Sequence, residues 1–304
     1  MNPDFFRHPF SKLLMLVFIM ITSFFVMFLL GYLLAVPIFG MSFGELSQLL
    51  SGQGAASHTQ IIKYFQIIQT IGLFVVPPFV AVRFFSDNPS VYLGFSRYPR
   101  GWTIVTVVLL IWMAVPFINF LTWVNQEIHL PETFGPLEDW LMSREENARE
   151  LTGRFLKADN LPMLLVNVLM VGVLPAVGEE LVFRGLIQKL MARWTRNVHL
   201  GIVIAAFLFS AMHVQFYGLL PRMFLGMLFG YLLLWSGSIW LPILGHFVNN
   251  TSAVVYYYLW HDEVAFSSQH FEAMGRQLPA VAFSVVMILL SCWIVYMNEK
   301  RLKG

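Results

Sequence analysis

The chain is 304 residues long, 58% apolar and only 12% charged, with mean hydropathy +0.68 and formal net charge +2. Soluble domains carry about 25% charged residues, so water is not the main solvent, and without a basic run interleaved with aromatics nucleic-acid binding is set aside. The single cysteine, Cys292, excludes an internal disulfide and a cysteine-based metal site, so any metal would need histidine and carboxylate ligands.

Apolar runs near 20 residues predict membrane helices, because about 20 residues at about 1.5 Å each cross the hydrocarbon core. Eight occur: Leu13–Ile38, Ile61–Val82, Trp102–Val124, Leu161–Val177, Val198–Val214, Leu219–Trp235, Ile239–Leu259 and Leu278–Tyr296. The fold class is therefore all-α, a polytopic transmembrane bundle of about eight spans. The first run follows Arg7 and Lys12 but is too long for a signal peptide and lacks an A-x-A site, so it reads as a retained anchor. Eight crossings put Arg7, Lys12, Arg83, Arg97, Arg100, Arg184, Lys189, Arg193, Arg196, Lys300, Arg301 and Lys303 on one side. Lys/Arg asymmetry makes that side cytoplasmic, with both termini inside a cell membrane. Acidic residues, chiefly Glu132, Glu138, Asp139, Glu145, Glu146, Glu150, Asp262 and Glu263, mark the other side. There Leu137, Trp140, Leu141, Ala148, Leu151 and Phe155 recur at helical spacing, as in an amphipathic helix on the outer interface with a solvated charged face.

Ionisable groups in a bilayer are expensive, so they mark function by default. After the fourth run the chain reads Leu-Pro-Ala-Val-Gly-Glu-Glu from Leu174 to Glu180, where Pro175 and Gly178 should break the helix ahead of two carboxylates. On the helix that restarts, Glu180 and Arg184 are four apart and can pair, whereas Glu179, about 100° around, keeps its carboxylate free. His8, His58, His129, His261 and His270 fall in loops or tails and His199 at a helix edge; only His213 and His246 lie well within apolar runs. Asn250 shares a face with His246. Neutral imidazole binds zinc or donates to an oxyanion, and a buried glutamate can take a proton from water. Together these are the parts for hydrolysis with water as nucleophile. No His-Glu-x-x-His, no Gly-x-Ser-x-Gly and no aspartate within a span is present, which disfavours zincin, serine and aspartyl mechanisms.

Three ordered motifs, Glu-Glu-x-x-x-Arg at Glu179, Glu180 and Arg184, Phe-x-x-x-His at Phe209 and His213, and His-x-x-x-Asn at His246 and Asn250, resemble the CAAX-protease and bacteriocin-processing family of intramembrane proteases. The resemblance implies an eight-helix-type bundle with a buried polar cavity and peptide-bond hydrolysis by water activated at Glu179, with His213 holding that water and His246 and Asn250 polarising the scissile carbonyl. The family is commonly called metalloprotease, so Glu179, His213 and His246 are the expected zinc ligands if a metal is used; a metal-free glutamate mechanism is equally compatible. Residues 1–160 then supply N-terminal membrane helices and the outer amphipathic segment, 161–260 the catalytic core, and 261–304 a last helix and cytoplasmic tail. The expected partners are the lipid bilayer and a membrane-associated protein or peptide, cleaved near the cytoplasmic side. The alternative is a non-hydrolytic scaffold or a proton-coupled transporter; the repeated halves expected of a transporter are not found. With straight vertical helices His213 and His246 would miss each other in depth. Gly226 and Gly230 form a G-x-x-x-G face read as packing glycines.

Overall fold

The computed structural model describes residues 8–51, 59–260 and 277–300, and among them the secondary structure is entirely helical. The helices are α1 (Pro9–Phe39), α2 (Phe43–Leu50), α3 (Thr59–Phe85), α4 (Pro89–Leu93), α5 (Gly101–Gln126), α6 (Gly135–Leu156), α7 (Leu161–Thr195), α8 (Val198–Ala211), α9 (Leu219–Ser236), α10 (Trp240–Trp260) and α11 (Leu278–Lys300). Each predicted run is helical. Six helices, α1, α3, α5, α7, α9 (with the 3-10 turn before it) and α11, are long and apolar enough to cross a membrane. Their outer faces carry Phe18, Phe25, Phe84, Trp102, Leu289 and Trp293 exposed, an apolar surface that water would not tolerate over so wide an area and that lipid requires.

Contacts at the helix ends define two sides. At one, Lys12 Nζ donates to Phe85 O at 3.2 Å, Ser238 Oγ to Arg97 O at 2.6 Å and the Arg100 amide to Glu299 at 3.3 Å. At the other, Asn125 Nδ2 donates to Phe216 O at 3.0 Å and Gln215 Nε2 to Glu145 at 3.4 Å. The start of α1 and the end of α11 share the basic side. Arg7, Arg301 and Lys303, like Asp262, Glu263, His58, His261 and His270, lie outside the described residues. Reporter fusions after Ser86 and after Gly304 are expected to report cytoplasm, and one within Glu138–Glu150 the opposite compartment; an external C-terminus would overturn this arrangement.

Three expectations are corrected. The helix does not break at Pro175–Gly178: α7 runs unbroken for 35 residues through two π-helical stretches, Val168–Val173 and Leu181–Ile187. Pro175 has no N–H for the carbonyl of Val171, and Asn250 Nδ2 donates to that carbonyl instead, at 2.9 Å. Gly178 marks a close crossing, since a Cβ there would meet Phe74 Cβ at 2.7 Å. Consequently Arg184 belongs to the interior of a long helix and is buried, not part of the basic edge. The fifth helix stops at Ala211, so His213 occupies a turn rather than a helix. In α6, finally, the charged face is not uniformly solvated. Glu146 and Glu150 pair with Arg149 and Arg154 on the exposed side, but Glu138 and Glu145 turn inward beside Tyr217 and Gln215, while Leu137, Trp140 and Leu151 remain exposed. Burial pushes the Glu145 carboxyl up from its ordinary range, with the charge of Arg222 pulling the other way.

Candidate active site

The second π-helical stretch of α7 begins just after Glu180, and the residues at positions 180, 184 and 188 face α9. Gly226 and Gly230 let the two backbones approach: Arg184 donates to Gly226 O at 3.1 Å and Gln188 to Gly230 O at 3.2 Å. A Cβ at Gly226 would meet Ala206 Cβ at 2.9 Å, and one at Gly230 would meet Gln188 Oε1 at 2.8 Å. The glycines thus pack closely as expected, and they also expose the carbonyl that holds Arg184. The predicted pair is present, with Arg184 Nη1 donating to Glu180 Oε1 at 2.8 Å and both side chains almost wholly excluded from solvent, 1% and 0%. The guanidinium lies between the rings of Phe209 and Phe229, 4.6 and 5.5 Å from their centroids, adding cation–π attraction on both faces.

The same Glu180 oxygen accepts from His246 Nδ1 at 2.8 Å. His246 stacks on Phe229 at 5.6 Å and is met edge-on by Phe209 at 5.9 Å, so its ring is fixed. Its Nε2 then faces Glu179, 3.9 Å from Oε2. This is the division expected from the helical phase: Glu180 binds protein cations and Glu179 does not contact Arg184. Glu180 Oε2 is buried without a hydrogen-bond partner.

The depth mismatch between the two histidines is resolved by the shortness of α8. Its 14 residues cover only about 21 Å, so the turn carrying His213 falls short of a full crossing. Phe209 touches both imidazoles, 5.2 Å from His213 and 5.9 Å from His246. His213 Nδ1 meets Phe209 O at 2.9 Å; a carbonyl can only accept, so Nδ1 carries the proton and Nε2 is left as an acceptor. Val214, next in the turn, has φ 52°, a left-handed conformation that a β-branched residue adopts only under strain. Asn250 bonds elsewhere through two of its polar atoms, one Nδ2 hydrogen going to Val171 O and Oδ1 accepting from Asn249 at 3.1 Å, which leaves its second Nδ2 hydrogen. The remaining histidines make surface contacts, His8 capping α1, His129 meeting Glu138 and His199 meeting Tyr231.

Among the described residues no three histidine, cysteine, aspartate or glutamate side chains converge as a metal-ligand set. Glu179 Oε2 lies 3.9 Å from His246 Nε2, and the hydrogen bond of His246 Nδ1 to Glu180 leaves Nε2 as the ring nitrogen open to a metal or a water.

Two further cations lie in apolar runs and outside the predicted site. Arg222, in the first turn of α9, is close enough for its charge to act on Glu179 and His213. Lys63, buried in α3, donates to Asn167 Oδ1 at 2.7 Å and Lys157 O at 3.2 Å. Arg222 also lines a cavity of about 1160 Å³ beneath α6, with Asn249, Gln215 and Glu145 on its walls. The cavity opens toward the acidic side, whereas cleavage was expected near the basic, cytoplasmic side.

Fold and site define a multi-pass helical membrane protein with a buried glutamate–histidine–arginine cluster. Residues 161–252 match the family model of the type II CAAX prenyl endopeptidase Rce1-like proteins, a likeness over this segment that supports the resemblance to the CAAX-protease family. The match encloses all seven motif residues and supports a CAAX-protease-like membrane enzyme. No curated protein and no solved structure matches the chain.

Proposed function

We propose that the protein is an intramembrane endopeptidase that hydrolyses a peptide bond in a membrane-associated protein or peptide. The observation that carries this reading is the unequal use of two adjacent carboxylates. Glu180 is consumed by Arg184 and His246 Nδ1, each at 2.8 Å, while Glu179 is held against His246 Nε2 at 3.9 Å with no cation of its own.

A water between Glu179 and His213 donates one hydrogen to the carboxylate and the other to His213 Nε2. As its oxygen attacks the scissile carbonyl carbon, the first proton passes to Glu179. The carbonyl oxygen becomes an oxyanion. His246 stabilises it by donating from Nε2 in the doubly protonated form, with its Nδ1 hydrogen remaining hydrogen-bonded to Glu180, and the second Nδ2 hydrogen of Asn250 is the remaining donor. Collapse breaks the C–N bond, and Glu179 returns its proton to the departing amine. Glu180 and Arg184 position His246 and take no part in proton transfer.

Purified protein is expected to cleave members of a panel of membrane-tethered peptides, with turnover retained in the presence of a chelator. Loss of turnover on chelation, restored by zinc, would instead assign Glu179, His213 and His246 as ligands. Absence of cleavage throughout the panel would count against the protease reading and favour a scaffold.

A further inference from the structure

We propose that Arg222 is the anion subsite of the peptide cavity, a specificity-determining residue that pairs with a carboxylate of the bound peptide. This rests on the endopeptidase reading above. Arg222 lies on the wall of the cavity beneath α6, and its guanidinium is held by neutral acceptors alone: Nη2 donates to Gln215 Oε1 at 2.5 Å and Nη1 to Gln215 O at 3.3 Å. Among the described residues no carboxylate lies within ion-pairing distance of it. Glu145 is kept one residue away, because the Gln215 amide stands between them and donates its Nε2 to Glu145.

The contrast with the other cations is informative. Arg184 is neutralised by Glu180, and Arg149 and Arg154, on the same cavity wall, are neutralised by Glu146 and Glu150 at 2.6 and 2.7 Å. A guanidinium inside an apolar helix is costly unless an anion compensates it. Gln215 fixes the side chain while leaving the rest of its planar fork, and its charge, available to a carboxylate in two-point geometry. The cavity volume, about 1160 Å³, is ample for several residues of extended peptide. Asn249, on the same cavity wall as Arg222, is hydrogen-bonded to Asn250, so the cavity reaches the motif residues and the carboxylate received by Arg222 lies on that side of the bond to be cut.

Two parts of a peptide offer that group, the C-terminal α-carboxylate and an aspartate or glutamate side chain. The test measures binding of fluorescent membrane-tethered peptides to Glu179→Gln protein, so that it does not depend on turnover. One pair of peptides differs only in a free or amidated C-terminus, and a second pair only in Glu or Gln beside the scissile bond. One of the two acidic peptides is expected to bind roughly 10- to 100-fold more tightly than its neutral twin, as a charge-assisted hydrogen bond provides. That preference should vanish when Arg222→Gln is added and persist in part with Arg222→Lys. Equal binding within both pairs would overturn the proposal even if no Arg222 variant folds. So would an Arg222→Gln change that weakens acidic and neutral peptides alike. If Arg222-dependent preference is found but the wild type hydrolyses nothing, it is the endopeptidase reading that fails.

Discussion

Glu179→Gln is expected to fold, insert and bind peptide as the wild type does, and to lose turnover by about 10²–10⁴, the range typical of removing a general base. The amide preserves shape and most hydrogen bonding but cannot accept the proton of water. Because Arg184 is neutralised by Glu180 and not by Glu179, the substitution removes charge without stranding the buried arginine, so activity and stability separate. His213→Ala should be comparably inactive, since its Nε2 is the second acceptor for the same water. Asn250→Ala should lose about 10²–10³ through the oxyanion, and some stability as well, because Val171 O then loses its donor. Turnover of one peptide by the three purified variants beside the wild type is the measurement. Near-wild-type turnover by Glu179→Gln would sink the mechanism.

Arg184→Ala is expected to do the opposite and fail by stability. Its removal leaves Glu180 charged and buried, and separating such a pair typically destabilises by about 3–5 kcal/mol. It also withdraws the donor to Gly226 O and the cation between Phe209 and Phe229, and loosens the oxygen that orients His246. Thermal unfolding in detergent should show a large downward shift, with low expression, whereas Glu179→Gln shows neither. Arg184→Lys keeps the charge but not the fork, and should fall between. A fully stable, inactive Arg184→Ala protein would place Arg184 in the chemistry itself.

The helices were legible because each is an apolar run of membrane length, and the pairing of Glu180 with Arg184 because i,i+4 spacing survives local changes in helix type. What sequence spacing could not show was the accommodation of Pro175. A proline and a glycine in close succession normally end a helix, yet here a side chain from α10 satisfies the carbonyl that the proline orphans, and the glycine serves the crossing with α3. That rescue is a tertiary contact between residues 79 apart. The turn at His213 was hidden for a related reason: Met212 and Val214 continue the hydropathy of α8, although the helix ends at Ala211 and the backbone turns away through Val214. Arg222 and Lys63, by contrast, are visible in the sequence as cations within apolar runs, but the partners that hold them, Gln215 and Asn167, lie outside their own helices. The inward turn of Glu138 and Glu145 depends on what covers the bundle, which periodicity within α6 alone does not record.

The brevity of α8 also bears on the surrounding lipid. About 21 Å of helix faces a hydrocarbon layer about 30 Å thick, and Val203, Phe207 and Leu208 leave its outer face exposed to that layer. The neighbouring acyl chains must shorten or tilt over the missing 9 Å or so, and hydrophobic mismatch of this size carries a free energy of a few kcal/mol at fractions of a kcal/mol per Å. The distortion is localised on the flank nearest His213. It thins the apolar barrier there before any substrate arrives, so a polar peptide backbone approaching from the plane of the bilayer has less hydrocarbon to displace at this flank than elsewhere around the bundle.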